Sequence, residues 1–199
     1  MRVELLPSSQ PPSDRQFLVT YLINEQVAID AGSIGLLSDL NRQQQVEYVF
    51  ITHQHIDHIA TLPILLENVY ETGPKSIEVL AGAGVLEFLQ KDLFNGRIWP
   101  DFLALSTPDD PFLVTTPLEA GMPVKRGGLV MTPISVSHAV PTLGLVVDDG
   151  KSVVAFPSDT GPTKEFWEYL NGLDRLDAVF LEISFPNRLE DLAEKSGHH

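Results

Sequence analysis

Cysteine is absent from this 199-residue chain. That excludes disulfides, thiolate nucleophiles and thiolate metal sites, so any metal must be held by histidine and carboxylate. Long apolar runs are absent too. None reaches the ~18 to 20 residues of a membrane-spanning helix, so no membrane partner is expected. The opening stretch MRVELLPSSQPPSDRQ lacks the basic region and apolar core of a secretory leader. The expected location is the cytoplasm, with an already removed leader allowed for. Positive charge is scarce: 13 Lys and Arg stand against 27 Asp and Glu, a formal charge of -14. Such a surface repels a nucleic-acid polymer, whose binding needs many Lys and Arg contacts. A small anionic substrate stays admissible, because bound cations reverse the charge locally.

What is present reads as an ordinary folded protein. Hydrophobic residues make up 43% of the chain and charged residues 20%, a balance that supports a buried core. Neither an internal repeat nor a linker interrupts it, so one domain over residues 1–199 is expected. Phe17 to Asn24 and Gln26 to Ile29 read as a hairpin running into Asp30-Ala31-Gly32. Strands are expected at 46–52, 76–80, 129–136, 144–147, 152–156 and 178–183, and helices at 34–42, 59–70, 84–93 and 164–171. Mixed strands and helices, with chemistry-bearing residues at strand ends, point to an α/β sandwich of packed sheets covered by helices.

The chain has six histidines, and three of them fall within THQHIDH, residues 52–58. This stretch follows the buried run Val49-Phe50-Ile51 and precedes a helical pattern. In a locally extended turn His53 and His55 face the same way, and Asp57 and His58 converge as the chain bends. Imidazole and carboxylate are the usual ligands of zinc and similar divalent ions. His138 follows the strand over 129–136. Asp159 follows the apolar run Val153 to Phe156, where an aspartate could also cap the next helix. His198 and His199 end the chain. Two groups of ligands imply two metals: His53, His55 and His138 for one, Asp57, His58 and a late histidine for the other, with Asp159 bridging. Two adjacent metals lower the pKa of a bridging water and clamp the attacking and leaving oxygens, which suits hydrolysis of a phosphate ester or a carbonyl compound.

THQHIDH resembles the HxHxDH signature of the metallo-β-lactamase superfamily. IDAG (Ile29 to Gly32), SHAVPTLG (Ser137 to Gly144) and SDTGP (Ser158 to Pro162) are similar to its supporting aspartate turn, its third-histidine segment and its bridging-aspartate segment. The resemblance implies an αββα sandwich with a dinuclear site at one edge of the two sheets. Within the superfamily, NGRIWPDF (Asn95 to Phe102), FLEISFPN (Phe180 to Asn187) and the closing SGHH are similar to the class II cyclic-nucleotide phosphodiesterases. By motif position His198 matches the last histidine of that family, with His199 as the other candidate. The family continues past this histidine, so the resemblance implies one metallo-hydrolase domain cut short at its C-terminus. Transfer-RNA 3′-processing endonucleases share the metal motifs, but they usually carry a histidine where this chain has Leu181, and a basic arm that this chain lacks. A thioester or lactone hydrolase is the third reading of the same fold.

The favoured resemblance implies hydrolysis of 3′,5′-cyclic AMP or GMP to the 5′-nucleotide. A metal-bridged hydroxide would attack phosphorus in line with the 3′ oxygen, and the metals would offset charge on the phosphoryl oxygens. Asp57 would orient the hydroxide or take its proton, and Asp159 would bridge. Zinc suits the ligands best; manganese and iron use similar ones. Asp30 and Glu182 are candidates to hold ligand imidazoles through their free N–H, and Trp99 or Phe102 to stack on the purine. The expected partner is a cyclic nucleotide, and a homodimer is allowed for.

Overall fold

The computed structural model describes residues 1–9, 16–70 and 76–198. His199, the other candidate for the last ligand, lies outside the described residues. The chain divides into two compact units, Arg2–Pro117 and Leu118–His199 with Met1. Among the described residues no helix is long and apolar enough to cross a membrane.

In the first unit six described strands form one sheet in chain order: β1 (Val3–Leu5), β2 (Tyr21–Ile23), β3 (Val27–Ile29), β4 (Tyr48–Ile51), β5 (Ile77–Gly82) and β6 (Leu113–Leu118). The hairpin of β2 and β3 turns through Asn24 and Glu25, both at positive φ. β3, β4 and β5 run parallel. A parallel strand covered on both faces should be apolar throughout rather than alternating. β4 obeys: Val49, Phe50 and Ile51 are all at most 1% exposed. The expected helix over 34–42 is a 3₁₀ turn at Ile34–Leu36 followed by α1 (Leu40–Gln45). Asp39 starts α1 by accepting a hydrogen bond from the Asn41 N–H at 3.0 Å, which competes with continuing the earlier turn. The helical pattern after THQHIDH likewise splits into α2 (Ile56–Ile59) and α3 (Leu62–Tyr70). Pro63 lies in the first turn of α3, where a missing N–H is tolerated. α4 (Ala83–Phe88), a π-helical turn (Leu89–Leu93) and α5 (Phe102–Leu105) complete the unit.

In the second unit five described strands, β7 (Val124–Arg126), β8 (Leu129–Val136), β9 (Thr142–Asp148), β10 (Val153–Phe156) and β11 (Ala178–Val179), take the order β11-β10-β9-β8-β7. β8 has the extent that its apolar pattern predicts. α6 (Glu165–Asn171) buries Phe166 completely against Ile134, Val146 and Ala155. Full burial of such a ring is worth about 1.5–3 kcal/mol. The strand expected over 178–183 stops at Val179. Past it, the Glu182 carboxylate accepts from the Ser184 N–H at 3.0 Å, a local bond that competes with the ladder. α7 (Glu190–Ser196) was not expected from the apolar pattern.

Candidate metal centre

In the first unit the site grows from the parallel pair β3 and β4, at their carboxyl ends, where open α/β sheets place ligands. The register sets Ile29 beside Phe50, and the Asp30 N–H donates to the Phe50 carbonyl at 2.8 Å. Asp30 therefore leaves the sheet directly beside Thr52. It takes φ of +60°, a left-handed conformation that aspartate tolerates better than most residues. Its carboxylate is almost fully buried. It accepts from the Thr52 N–H at 2.9 Å, the Thr52 hydroxyl at 3.0 Å and His58 Nδ1 at 2.7 Å. A buried carboxylate is tolerable only with such a set of donors. Because Asp30 takes the Nδ1 proton, His58 presents Nε2 as its lone-pair nitrogen, the arrangement that metal-bound histidines require.

His53 is buried, with Nδ1 3.0 Å from the Thr52 hydroxyl and Nε2 3.0 Å from His55 Nδ1. Two nitrogens bound to one tetrahedral zinc stand about 3.3 Å apart, from Zn–N bonds of about 2.0–2.1 Å. The His53–His55 spacing is close to that, so the donor set fits a divalent ion. His55 begins α2 and Asp57 lies in its first turn, with Oδ2 3.5 Å from His58 Nε2. Gly32 makes this possible. The Asp57 carbonyl accepts from the Val19 N–H at 2.9 Å, and the His58 carbonyl from the Ala31 N–H at 2.7 Å. A Cβ on Gly32 would lie 1.9 Å from the Asp57 carbonyl oxygen.

In the second unit His138 follows β8, and Asp159 follows β10 through Ser158, which takes φ of +62°. The Gly161 N–H donates to the Ser137 carbonyl at 2.7 Å, tying the two loops together. His138 Nδ1 bonds the Gly197 carbonyl at 2.8 Å, and His198 Nδ1 bonds Glu182 at 2.9 Å. Both imidazoles thus carry the proton on Nδ1 and present Nε2, as His58 does. Donor atoms of Asp159, Glu182 and His198 lie within 4.8 Å of one another.

α7 is what places His198. Gly197 takes φ of +73°, its N–H donates to the Glu194 carbonyl, and the His198 N–H donates to Ala193 at 2.9 Å. This is the Schellman ending of a helix. Its signals stand in the sequence: Glu190 and Asp191 in the first turn, Lys195 in the last, and Gly197 just beyond. A search for apolar periodicity passes over them, because Ala193 is the helix's only buried residue.

Trp99 and Phe102, the candidates for purine stacking, belong to the core of the first unit. Phe102 is 9% exposed, with Phe94 stacked at 5.6 Å and Phe112 edge-on at 5.3 Å. Two other rings therefore pack against it within this unit. Trp99 packs partly buried against the same cluster. Both rings of the aromatic stretch thus contribute to core packing in this unit.

The sequence matches the beta-lactamase superfamily domain over residues 28–198. It is 25% identical over 193 residues to a probable 3′,5′-cyclic-nucleotide phosphodiesterase of Yersinia pestis, covering 82% of this chain and 54% of that protein. It is 27% identical over 168 residues to the 3′,5′-cyclic-nucleotide phosphodiesterase of Aliivibrio fischeri, covering 75% and 48%. The chain thus spans about half the length of these relatives. Among solved structures, the metallo-beta-lactamase fold protein YhfI of Bacillus subtilis superposes with a TM-score of 0.75 at 18% identity, over 98% of this chain and 76% of that one. The fold is accordingly α/β, of the metallo-β-lactamase type.

Proposed function

This chain belongs to the beta-lactamase superfamily, and on that premise we propose that it hydrolyses 3′,5′-cyclic nucleotides to 5′-nucleotides with two divalent ions, most suitably zinc. His53, His55, Asp57, His58, His138, Asp159 and His198 would hold the ions. The observation that carries the reading is that three of these histidines each set Nδ1 against an oxygen acceptor. Asp30, the Gly197 carbonyl and Glu182 each take an Nδ1 proton, from His58, His138 and His198 respectively. Each such bond leaves the lone pair on Nε2, the nitrogen with which a ligand histidine would meet an ion.

When bound, the ions would lower the pKa of a water and offset charge on the phosphoryl oxygens. The residues do the rest. Asp57, on the first turn of α2 with a side chain 40% exposed, is placed to orient that water or take its proton. Asp30 and Glu182 keep the imidazoles turned. The P–O3′ bond breaks, the water oxygen joins phosphorus, and the 3′ oxygen leaves with a proton. The names of the relatives supply the substrate class, and the charge of -14 argues for a small substrate over a nucleic-acid polymer.

The test measures metal content and turnover on one sample of the chain, with cyclic AMP, cyclic GMP, a precursor transfer RNA and a lactone as substrates. About two ions per chain and cyclic-nucleotide turnover are expected, both lost in His53→Ala and Asp159→Ala. Metal-loaded protein that leaves cyclic nucleotides intact while cleaving the RNA or the lactone would overturn the reading.

A further inference from the structure

Thr52 opens THQHIDH directly after β4 and is 1% exposed. A buried hydroxyl is costly unless it is bonded. The Thr52 hydroxyl lies 3.0 Å from each carboxylate oxygen of Asp30 and 3.0 Å from His53 Nδ1. Anchoring the turn does not require it, because the Thr52 N–H already donates to Asp30 at 2.9 Å. Threonine and valine share a branched shape and differ in the hydroxyl, so packing alone does not call for an oxygen here.

The direction of these bonds follows from proton supply. A hydroxyl has one proton to donate and two lone pairs, and an ionised carboxylate only accepts. With the proton directed at Asp30, an oxygen lone pair turns toward His53. Were the hydroxyl to donate to His53 instead, a lone pair would face the carboxylate at 3.0 Å. The partner of a lone pair is an N–H, which puts the His53 proton on Nδ1. The His53 lone pair then falls on Nε2, the nitrogen 3.0 Å from His55 Nδ1. His58 stands beside it, with ring centroids 4.1 Å apart, and sets its own Nδ1 against Asp30 directly at 2.7 Å.

Resting on the metal-site reading above, we propose that Thr52 is a positioning residue that relays the Asp30 carboxylate to His53, so that one buried acceptor orients two candidate ligands. A neutral imidazole has two tautomers, and the one protonated on Nδ1 keeps Nε2 for an ion. Asp30 selects that form in His58 by contact and in His53 through the hydroxyl. The two routes separate under substitution, since Asp30 governs both rings and Thr52 governs His53 alone.

The test compares Thr52→Val and Thr52→Ser with the unaltered chain, metal-free and at about pH 8, where an ordinary imidazole is neutral. Ring-nitrogen NMR reads each tautomer, and calorimetric titration reads zinc affinity. In the unaltered chain His53 and His58 should both carry the proton on Nδ1. Thr52→Val should give His53 a mixture of tautomers, leave His58 unchanged and weaken zinc binding by roughly 10- to 100-fold, as when a ligand histidine loses its hydrogen-bond partner. Thr52→Ser keeps the hydroxyl and should restore both readings. An Nε2 proton on His53 in the unaltered chain would overturn the proposal, and so would an unchanged His53 tautomer in Thr52→Val. If Thr52→Val does not fold, the unaltered chain decides: His53 protonated on Nδ1 supports the relay, and on Nε2 removes it. A zinc-loaded chain that turns over no cyclic nucleotide would count against the hydrolase reading instead, because the tautomers are read without metal.

Discussion

His58 Nδ1 stands 2.7 Å from Asp30 Oδ2, and both side chains are at most 2% exposed. The pair joins the end of β3 to the end of THQHIDH, so one carboxylate supports both the turn, through Thr52, and the orientation of a candidate ligand. Asp30→Asn keeps the shape and removes the charge. One of the buried donors, Thr52 or His58, then meets an amide NH₂. An unsatisfied buried donor costs about 1–3 kcal/mol, so unfolding of the metal-free protein by urea should show a loss of that size. Divalent-ion affinity should fall by roughly 10- to 100-fold, as when a ligand histidine loses its supporting carboxylate. Calorimetric titration with zinc reads the second effect. A variant with normal affinity would show that Asp30 supports the fold and nothing more.

Gly32→Ala tests how tightly the loop carrying Asp57 is closed. The added Cβ would meet three backbone atoms, the Asp57 carbonyl oxygen at 1.9 Å and the Val19 nitrogen and oxygen at 2.6 and 2.8 Å. Backbone atoms cannot turn aside as a side chain can. A loss of at least about 1–3 kcal/mol is expected, the cost of overpacking, with weakened metal binding because α2 must shift. Gly84→Ala is the control. Its Cβ meets nothing within 4 Å, and alanine is the better helix former, so stability should hold or rise.

How far the sequence discloses this molecule depends on where the information is local. β4 and β8 are legible because a covered strand must be apolar along its length, and Val49-Phe50-Ile51 and Leu129 to Val136 are. THQHIDH is legible because its spacing falls within a single turn. β1 and β6 are less so: Val3–Leu5 is a short edge strand of half-exposed residues, and Leu113–Leu118 contains Thr115, Thr116 and Pro117. Trp99 and Phe102 show the other limit. An aromatic pair reads alike whether it faces a ligand or a core, and only the positions of Phe94 and Phe112 decide it. Glu182 could be named from its position, but its partner could not. The bond to His198 forms across a chain separation of 16 residues, through a helix whose signals are caps and charges.

That helix end yields a prediction of its own. Gly197 combines φ of +73° with a Cβ position 2.9 Å from the Ala139 nitrogen. Gly197→Ala should therefore cost about 1–2 kcal/mol from the left-handed conformation alone. It should also displace the carbonyl that receives the His138 Nδ1 proton. Histidine ring nitrogen shifts in NMR spectra of the metal-free protein would report the tautomer of His138, and a mixture of tautomers is expected. A single unchanged tautomer would show that the Gly197 carbonyl does not set it.

Phe102→Ala separates a core ring from a base-stacking one. The ring lies between Phe94 and Phe112, and its removal leaves a cavity in the core of the first unit. Truncations of this kind cost about 3–5 kcal/mol, so the denaturation midpoint should drop steeply. Under conditions where the variant remains folded, KM for cyclic nucleotides should match that of the unaltered chain, because the ring is largely buried in the core. Phe102→Leu keeps most of the apolar volume without an aromatic face and should recover much of the stability, again with KM unchanged. A rise in KM for Phe102→Leu, with stability retained, would return the ring to the substrate.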